Sequence, residues 1–98
     1  MAKYLLRLYI TGQTSRSLAA IANLKRTCEA ELPGDYEMEV IDILDRPQRA
    51  EDEQIFATPT VVRVTPPPAR RFIGDLSDPR RVLAALGLKP VADSVSLE

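Results

Sequence analysis

Near the start of the chain, YLLRLYI (Tyr4–Ile10) is apolar or aromatic at every position but Arg7. So continuous a run suits a strand covered on both faces, and a central strand is predicted. The turn TGQT follows, after which Thr14 or Ser15 can cap a helix by accepting a hydrogen bond from an amide of its first turn. Leu18, Ile21, Ala22, Leu24, Cys28 and Leu32 recur at roughly helical spacing and predict its buried stripe, leaving Arg16, Lys25, Arg26 and Glu29 on the wet side. Pro33 and Gly34 stop it.

YEMEVIDIL (Tyr36–Leu44) alternates Glu37 and Glu39 with Met38 and Val40 and predicts a second strand. Strand, helix and strand in this order imply a right-handed crossover and a parallel pair. DRPQRAEDEQIF reads as a short, weakly amphipathic helix, with Asp45 as cap, Pro47 in the first turn, and Ala50, Ile55 and Phe56 as anchors. Thr60–Val64 and Arg70–Ile73 form a hairpin across the stiff loop TPPPA. SDPRRVLAALGLKP predicts a last helix, capped by Ser77 or Asp78, buried through Val82, Leu83 and Leu86, and stopped by Gly87. Residues 1–90 therefore read as one domain, with a fraying tail over 91–98.

The order β-α-β-α-β-β-α, with a parallel first pair and an antiparallel last pair, is the thioredoxin-like α/β arrangement. Proteins of that fold place a cis-proline just before the third core strand, and Pro59 stands at that point in IFATPTVVRV.

Composition narrows the chemistry. With 45% apolar and 28% charged residues, the 98-residue chain has the balance of a folded domain, and its net charge of -1 gives no global pull toward nucleic acid or anionic lipid. No run approaches the ~20 apolar residues of a membrane span. A cytoplasmic location is the expectation. Histidine is absent and Cys28 is the only cysteine, so neither an intramolecular disulfide nor a Cys/His metal cluster can form, and no cofactor is expected. Where a redox thioredoxin needs Cys-x-x-Cys, this chain has Thr11, Gly12, Gln13 and Thr14. That excludes oxidoreductase chemistry at this point, and Cys28, far down the helix, reads as a packed thiol.

LRLYITGQTSRS, VIDILDRPQRAEDEQIFATPTVVRV and RRFIGDLSD together resemble the KaiB family, the small partner of the circadian ATPase KaiC, at matching order and spacing from about Tyr4 to Leu88. Ala57–Thr60 and Gly74–Asp78 carry the most specific part of the likeness. The resemblance implies a non-enzymatic clock or timer regulator that docks on the N-terminal ATPase ring of the KaiC hexamer. It also implies two folds: a resting dimer or tetramer ordered βαββααβ, and a thioredoxin-like monomer that binds KaiC. The chain departs from the family pattern at Ala85, Leu86 and Gly87, where Gly-Leu-Asp is common. Ala at this point favours the helix and Gly87 ends it, so the thioredoxin-like state is expected to gain. Glu39 stands where cyanobacterial relatives often carry a basic residue that meets KaiA, which argues against KaiA as a partner. Competition with a SasA-like kinase for KaiC is a further implication.

Partner contacts are expected at Lys25, Arg26, Gln54, Arg70, Arg71 and Asp75. The two adjacent arginines offer planar donors to acidic groups, although charge on an edge strand also guards against aggregation. Asp42 is open between a cap, a buried hydrogen-bonded group and part of a fold-switch network. GDLSDP reads first as a helix cap. Alternatively, Pro59, Asp75 and Ser77 imitate the peptide site of glutathione-binding thioredoxin-like proteins, which would make the chain a thiol- or glutathione-binding protein. A SasA-type sensor domain is a third reading.

Overall fold

β1 (Tyr4–Ile10) holds the centre of the molecule, with Tyr4, Leu6, Leu8 and Ile10 buried on one face and Tyr9 buried beyond the half-buried Leu5 and Arg7 on the other. In the computed structural model, which describes residues 2–91, it is followed by α1 (Ser15–Glu31), β2 (Tyr36–Asp42), α2 (Pro47–Asp52), β3 (Thr60–Thr65), β4 (Arg70–Ile73) and α3 (Pro79–Leu86). The tail expected over 91–98 lies, from residue 92 onward, outside the described residues. One sheet forms in the order β2-β1-β3-β4, with β1 parallel to β2 and the β1–β3 and β3–β4 pairs antiparallel. This is the thioredoxin-like order, not the βαββααβ alternative.

Leu6, Leu8 and Ile10 point from β1 into the main core, where they meet Leu24, Cys28 and Leu32 of the α1 side and Val82 and Leu86 of α3. Tyr9 points the other way and packs with Ile41 and Val62. Thr14 caps α1 by accepting from the Ser17 amide at 3.1 Å. The buried row of α1 runs through Ala20, Leu24 and Cys28, one turn apart, so Leu18 and Ala22 are exposed rather than part of the stripe. Both lie two residues from Ala20, about 200° around the helix at roughly 100° per residue.

Two expectations for α2 are corrected. Asp45 does not cap it: the Asp45 and Arg46 amides both donate to Asp42 O at 3.0 Å, and that turn places Arg46 at the cap position, with no side-chain cap bond. Phe56 is not an anchor but 91% exposed, because the chain leaves the helix through Gln54 at φ 57 and anchors through Ala50 and the half-buried Ile55. The β3–β4 loop curls over Arg63, whose Nη2 donates to Pro68 O at 2.8 Å. Asp78 caps α3 by accepting from the Arg80 and Arg81 amides, and Gly87 ends it in the left-handed region at φ 62. After α3, the Lys89 amide donates to Tyr4 Oη at 3.1 Å and the Val91 amide to Glu31 O, fastening the far end of the domain.

Candidate protein-interaction site

Because β1, β2 and β4 run in the same direction and β3 against them, the exits of the first three and the entry to β3 meet at one end. Four connections gather there: 11–14, 43–46, 53–59 and 74–78. Several polar contacts hold them. Asp42 Oδ1 accepts from the Gly12 and Leu44 amides, both at 3.0 Å, so its carboxylate ties the β1 and β2 exits together. Thr11 Oγ1 and Thr58 Oγ1 share a hydrogen bond of 2.6 Å, Thr60 Oγ1 donates to Ala57 O at 2.6 Å, and the Gly74 amide donates to Pro59 O at 3.1 Å. Pro59 is buried behind this network and its bond to Thr58 is cis.

Large exposed apolar side chains concentrate at this end. Phe56, Leu44 (66%), Ile73 (59%), Leu18 (50%) and Val40 stand on or within a turn of it, whereas Val91 lies at the opposite end. Exposed apolar residues scattered singly need no explanation, but these five ring one end, Val40 and Ile73 on opposite edges and faces of the sheet, and suit that end as a whole to a protein partner. Beside them, a shallow cleft of about 280 Å³ is lined by Ile10, Gln13, Val40, Asp42, Asp45 and Arg46 among others.

Catalytic chemistry finds little here. The hydroxyls of the Thr11–Thr14 turn are already bonded, Thr11 Oγ1 with Thr58 Oγ1 and Thr14 Oγ1 with the Ser17 hydroxyl and amide, and no group of three or more metal-ligating residues occurs among the described residues. Cys28 is buried in the main core, where burial and then the nearby Glu29 charge push its thiol up to about 12. Such a thiol is neither nucleophile nor redox centre at neutral pH.

The residues expected to meet a partner do not converge. Gln54 and Asp75 lie at the apolar end and are exposed. Asp75 accepts from the Ser77 amide at 3.0 Å and from Ser77 Oγ at 2.8 Å; these two bonds, with Arg16 and Arg81 nearby, hold its carboxyl below the usual range. Asp75 and Ser77 thus satisfy each other, which weakens them as a peptide-carboxylate trap. Asn23 links Asp75 O (3.1 Å) to the Arg26 guanidinium (3.1 Å), tying the middle of α1 to the loop, while Lys25 stands exposed on the same helix. Arg71 is engaged within its own chain, donating to Glu53 O at 2.9 Å and Gln54 O at 3.0 Å, and so clamps the exit of α2 to β4. Arg70, Ala85 and Gly87 sit toward the other end, with the Arg70 guanidinium 3.6 Å from where a Cβ on Gly87 would lie. Leu18, Leu44, Phe56 and Ile73 escape sequence reasoning because each occupies a position that periodicity assigns to packing. The one available signal is Phe56, the lone aromatic of an otherwise polar stretch.

Comparison with known proteins fits this picture. The model of the KaiB domain matches residues 7–88. The chain is 47% identical over 97 residues to the circadian clock protein KaiB3 of Synechocystis sp., covering 99% of this chain and 95% of that one. It is 49% identical over 85 residues to the circadian clock oscillator protein KaiB of Synechococcus sp. (strain RCC307), covering 87% and 77%. Among solved structures, the N-terminal domain of Synechococcus elongatus SasA superposes with a TM-score of 0.71 at 23% identity, covering 85% of this chain and 82% of that one. Mitochondrial thioredoxin 3 of Saccharomyces cerevisiae superposes with a TM-score of 0.70 at 16% identity, covering 89% and 79%. The structural likenesses carry the fold, thioredoxin-like without its cysteine pair; the domain match and the sequence identities carry the family, and this chain belongs to the KaiB family of circadian clock proteins.

Proposed function

We propose that this protein is a non-enzymatic regulator that binds the N-terminal ATPase ring of KaiC through its apolar loop end and so modulates the KaiC phosphorylation cycle. The observation that carries this reading is the gathering of Phe56, Leu44, Ile73, Leu18 and Val40 at one end of a domain whose only thiol is buried and inert. Exposed aromatic and aliphatic anchors on a rigid frame suit protein recognition. The polar contacts among Thr11, Asp42, Thr58 and Pro59 supply that frame without offering a nucleophile.

The thioredoxin-like form is the binding form in this reading. A resting dimer or tetramer of the other fold would hold it in reserve, lowering the apparent affinity by the competent fraction. Ala85 and Gly87, which continue and then end α3, favour the binding form. Binding takes place in the cytoplasm, and a SasA-like kinase competes for the same ring. KaiA is disfavoured as a partner, because Glu39, ion-paired with Arg7 at 3.0 Å and Arg49 at 3.7 Å, puts a carboxylate where cyanobacterial relatives often carry a basic residue.

Size-exclusion chromatography with light scattering, on the protein alone and mixed with ATP-loaded KaiC from the same cell, tests the proposal. Co-elution with the hexamer is expected. Failure to join the ring after long incubation with nucleotide would overturn it, and glutathione titration would then test the thiol-binding alternative.

A further inference from the structure

α2 ends in a turn that usually takes glycine. The Gln54 amide donates to Glu51 O at 3.1 Å and the Ile55 amide to Ala50 O at 2.8 Å, the paired bonds of a helix stop whose hinge residue is left-handed. Gln54 fills that hinge at φ 57, a conformation that is costly for a residue with a Cβ and persists where its surroundings hold it. Beyond the hinge, Ile55 packs onto the small core of Tyr9, Ile41 and Val62, and Phe56 is left 91% exposed.

The support comes from Arg71. It pairs with Val62 across β3 and β4 and so shares the face of the sheet on which Ile55 packs. Its Nη2 donates to Glu53 O at 2.9 Å and its Nη1 to Gln54 O at 3.0 Å, and Nη2 lies 3.8 Å from a Glu53 carboxylate oxygen. Glu53 O belongs to the peptide plane before Gln54 and Gln54 O to the plane after it. One planar guanidinium therefore fixes both dihedrals of the hinge, which the point charge of a lysine does not do. Farther along, Thr60 Oγ1 donates to Ala57 O at 2.6 Å and Thr58 bonds Thr11. Phe56 stands between these two attachments.

We propose that Arg71 is a positioning residue for recognition: it holds the Gln54 hinge left-handed and so presents Phe56 to the partner without itself touching the partner. This rests on the KaiC reading above and adds to it the side chain that orders the anchor in advance. Ordering before binding removes a cost that association otherwise carries. A freed loop that presents Phe56 correctly in roughly a tenth of its conformers lowers apparent affinity roughly tenfold.

Two measurements test this. The chain contains no tryptophan, so Phe56→Trp supplies a single fluorescent reporter at the anchor. Time-resolved anisotropy should show added fast local motion at position 56 when Arg71→Lys is combined with it. The second measurement is a double-mutant cycle, titrating ATP-loaded KaiC with wild type, Arg71→Lys, Phe56→Ala and the two substitutions together. Arg71→Lys should weaken binding roughly tenfold on its own, and by less than about twofold once Phe56 is gone, because it acts through that ring. Additive losses would show that Arg71 meets the partner directly and would overturn the proposal. Unchanged motion at position 56, with a wild type that still binds the ring, would overturn the clamp and leave the KaiC reading standing. A wild type that never binds would overturn the KaiC reading, and the positioning role with it, whatever the reporter shows. Should melting curves show that Arg71→Lys does not fold, Gln54→Val strains the same hinge, since β-branched residues are outliers at positive φ. It should free the reporter equally, and a reporter as immobile as with Gln54 in place would refute the clamp.

Discussion

Replacing Phe56 by alanine separates folding from recognition. The ring is 91% exposed, so its removal takes almost nothing from the core, and stability should stay within about 0.5 kcal/mol of the wild type. On the KaiC ring the same side chain would pass from water into a pocket. Full burial of a Phe side chain contributes about 1.5–3 kcal/mol. At about 1.4 kcal/mol per decade this is a roughly ten- to hundredfold weaker affinity. The assay pairs a thermal melt with calorimetric or fluorescence titration of ATP-loaded KaiC. An unchanged melting temperature with affinity reduced in that range is expected. A melting temperature several degrees lower would show that Phe56 packs within the domain, and an unchanged affinity would remove the apolar end from the interface; either result refutes the reasoning.

Cys28, whose thiol burial raises from 9.0 to about 12, should carry about a thousandfold less thiolate than a free cysteine thiol at a given pH below 9, so iodoacetamide should alkylate it far more slowly in the native protein than in urea. Its raised value also fixes a sign: folding favours the protonated thiol, so this contribution to stability is complete below about pH 9 and is lost as the pH rises toward 12, measurable by urea titration across that window. Gly87→Ala meets only ordinary contact with the Arg70 side chain, 3.6 Å away, but must adopt φ 62, which costs about 1–2 kcal/mol; a melt should show a drop of roughly 4–8 °C per kcal/mol for a domain of this size. Asp78→Ala removes the carboxylate that accepts from the Arg80 and Arg81 amides and should cost about 0.5–2 kcal/mol, whereas Asp78→Asn should recover most of it in the same melt.

The elements were legible wherever local chemistry and tertiary packing agree. YLLRLYI announces a central strand because a strand covered on both faces has no polar alternation to hide. Asp78 and Pro79 announce α3 because a cap and a first-turn proline act within a few residues. Where the outcome depends on the partner element, the sequence is ambiguous. Leu18 sits at helical spacing from Ile21 and Ala22, but packing of α1 against the main core selects the row of Ala20, Leu24 and Cys28 instead. Asp45 resembles a cap until the turn anchored on Asp42 O moves the cap position to Arg46. The same dependence hid the site: Arg71 reads as a free cation, and only the path of the chain after α2 brings the Glu53 and Gln54 carbonyls within its reach. Phe56, in turn, reads as an anchor because nothing in the sequence shows that Gln54 turns the chain outward.

Hydrogen exchange of the protein, free and bound to the ATP-loaded KaiC ring, tests the central claim most directly, because it maps the contact onto named segments. The apolar end predicts slowed exchange in 11–14, 43–46, 53–59 and 74–78 and in the first turn of α1 around Leu18, with the rest of the outer face of α1 and that of α3 unchanged. Protection confined to those helical faces, or no protection in the four connections, would contradict the account.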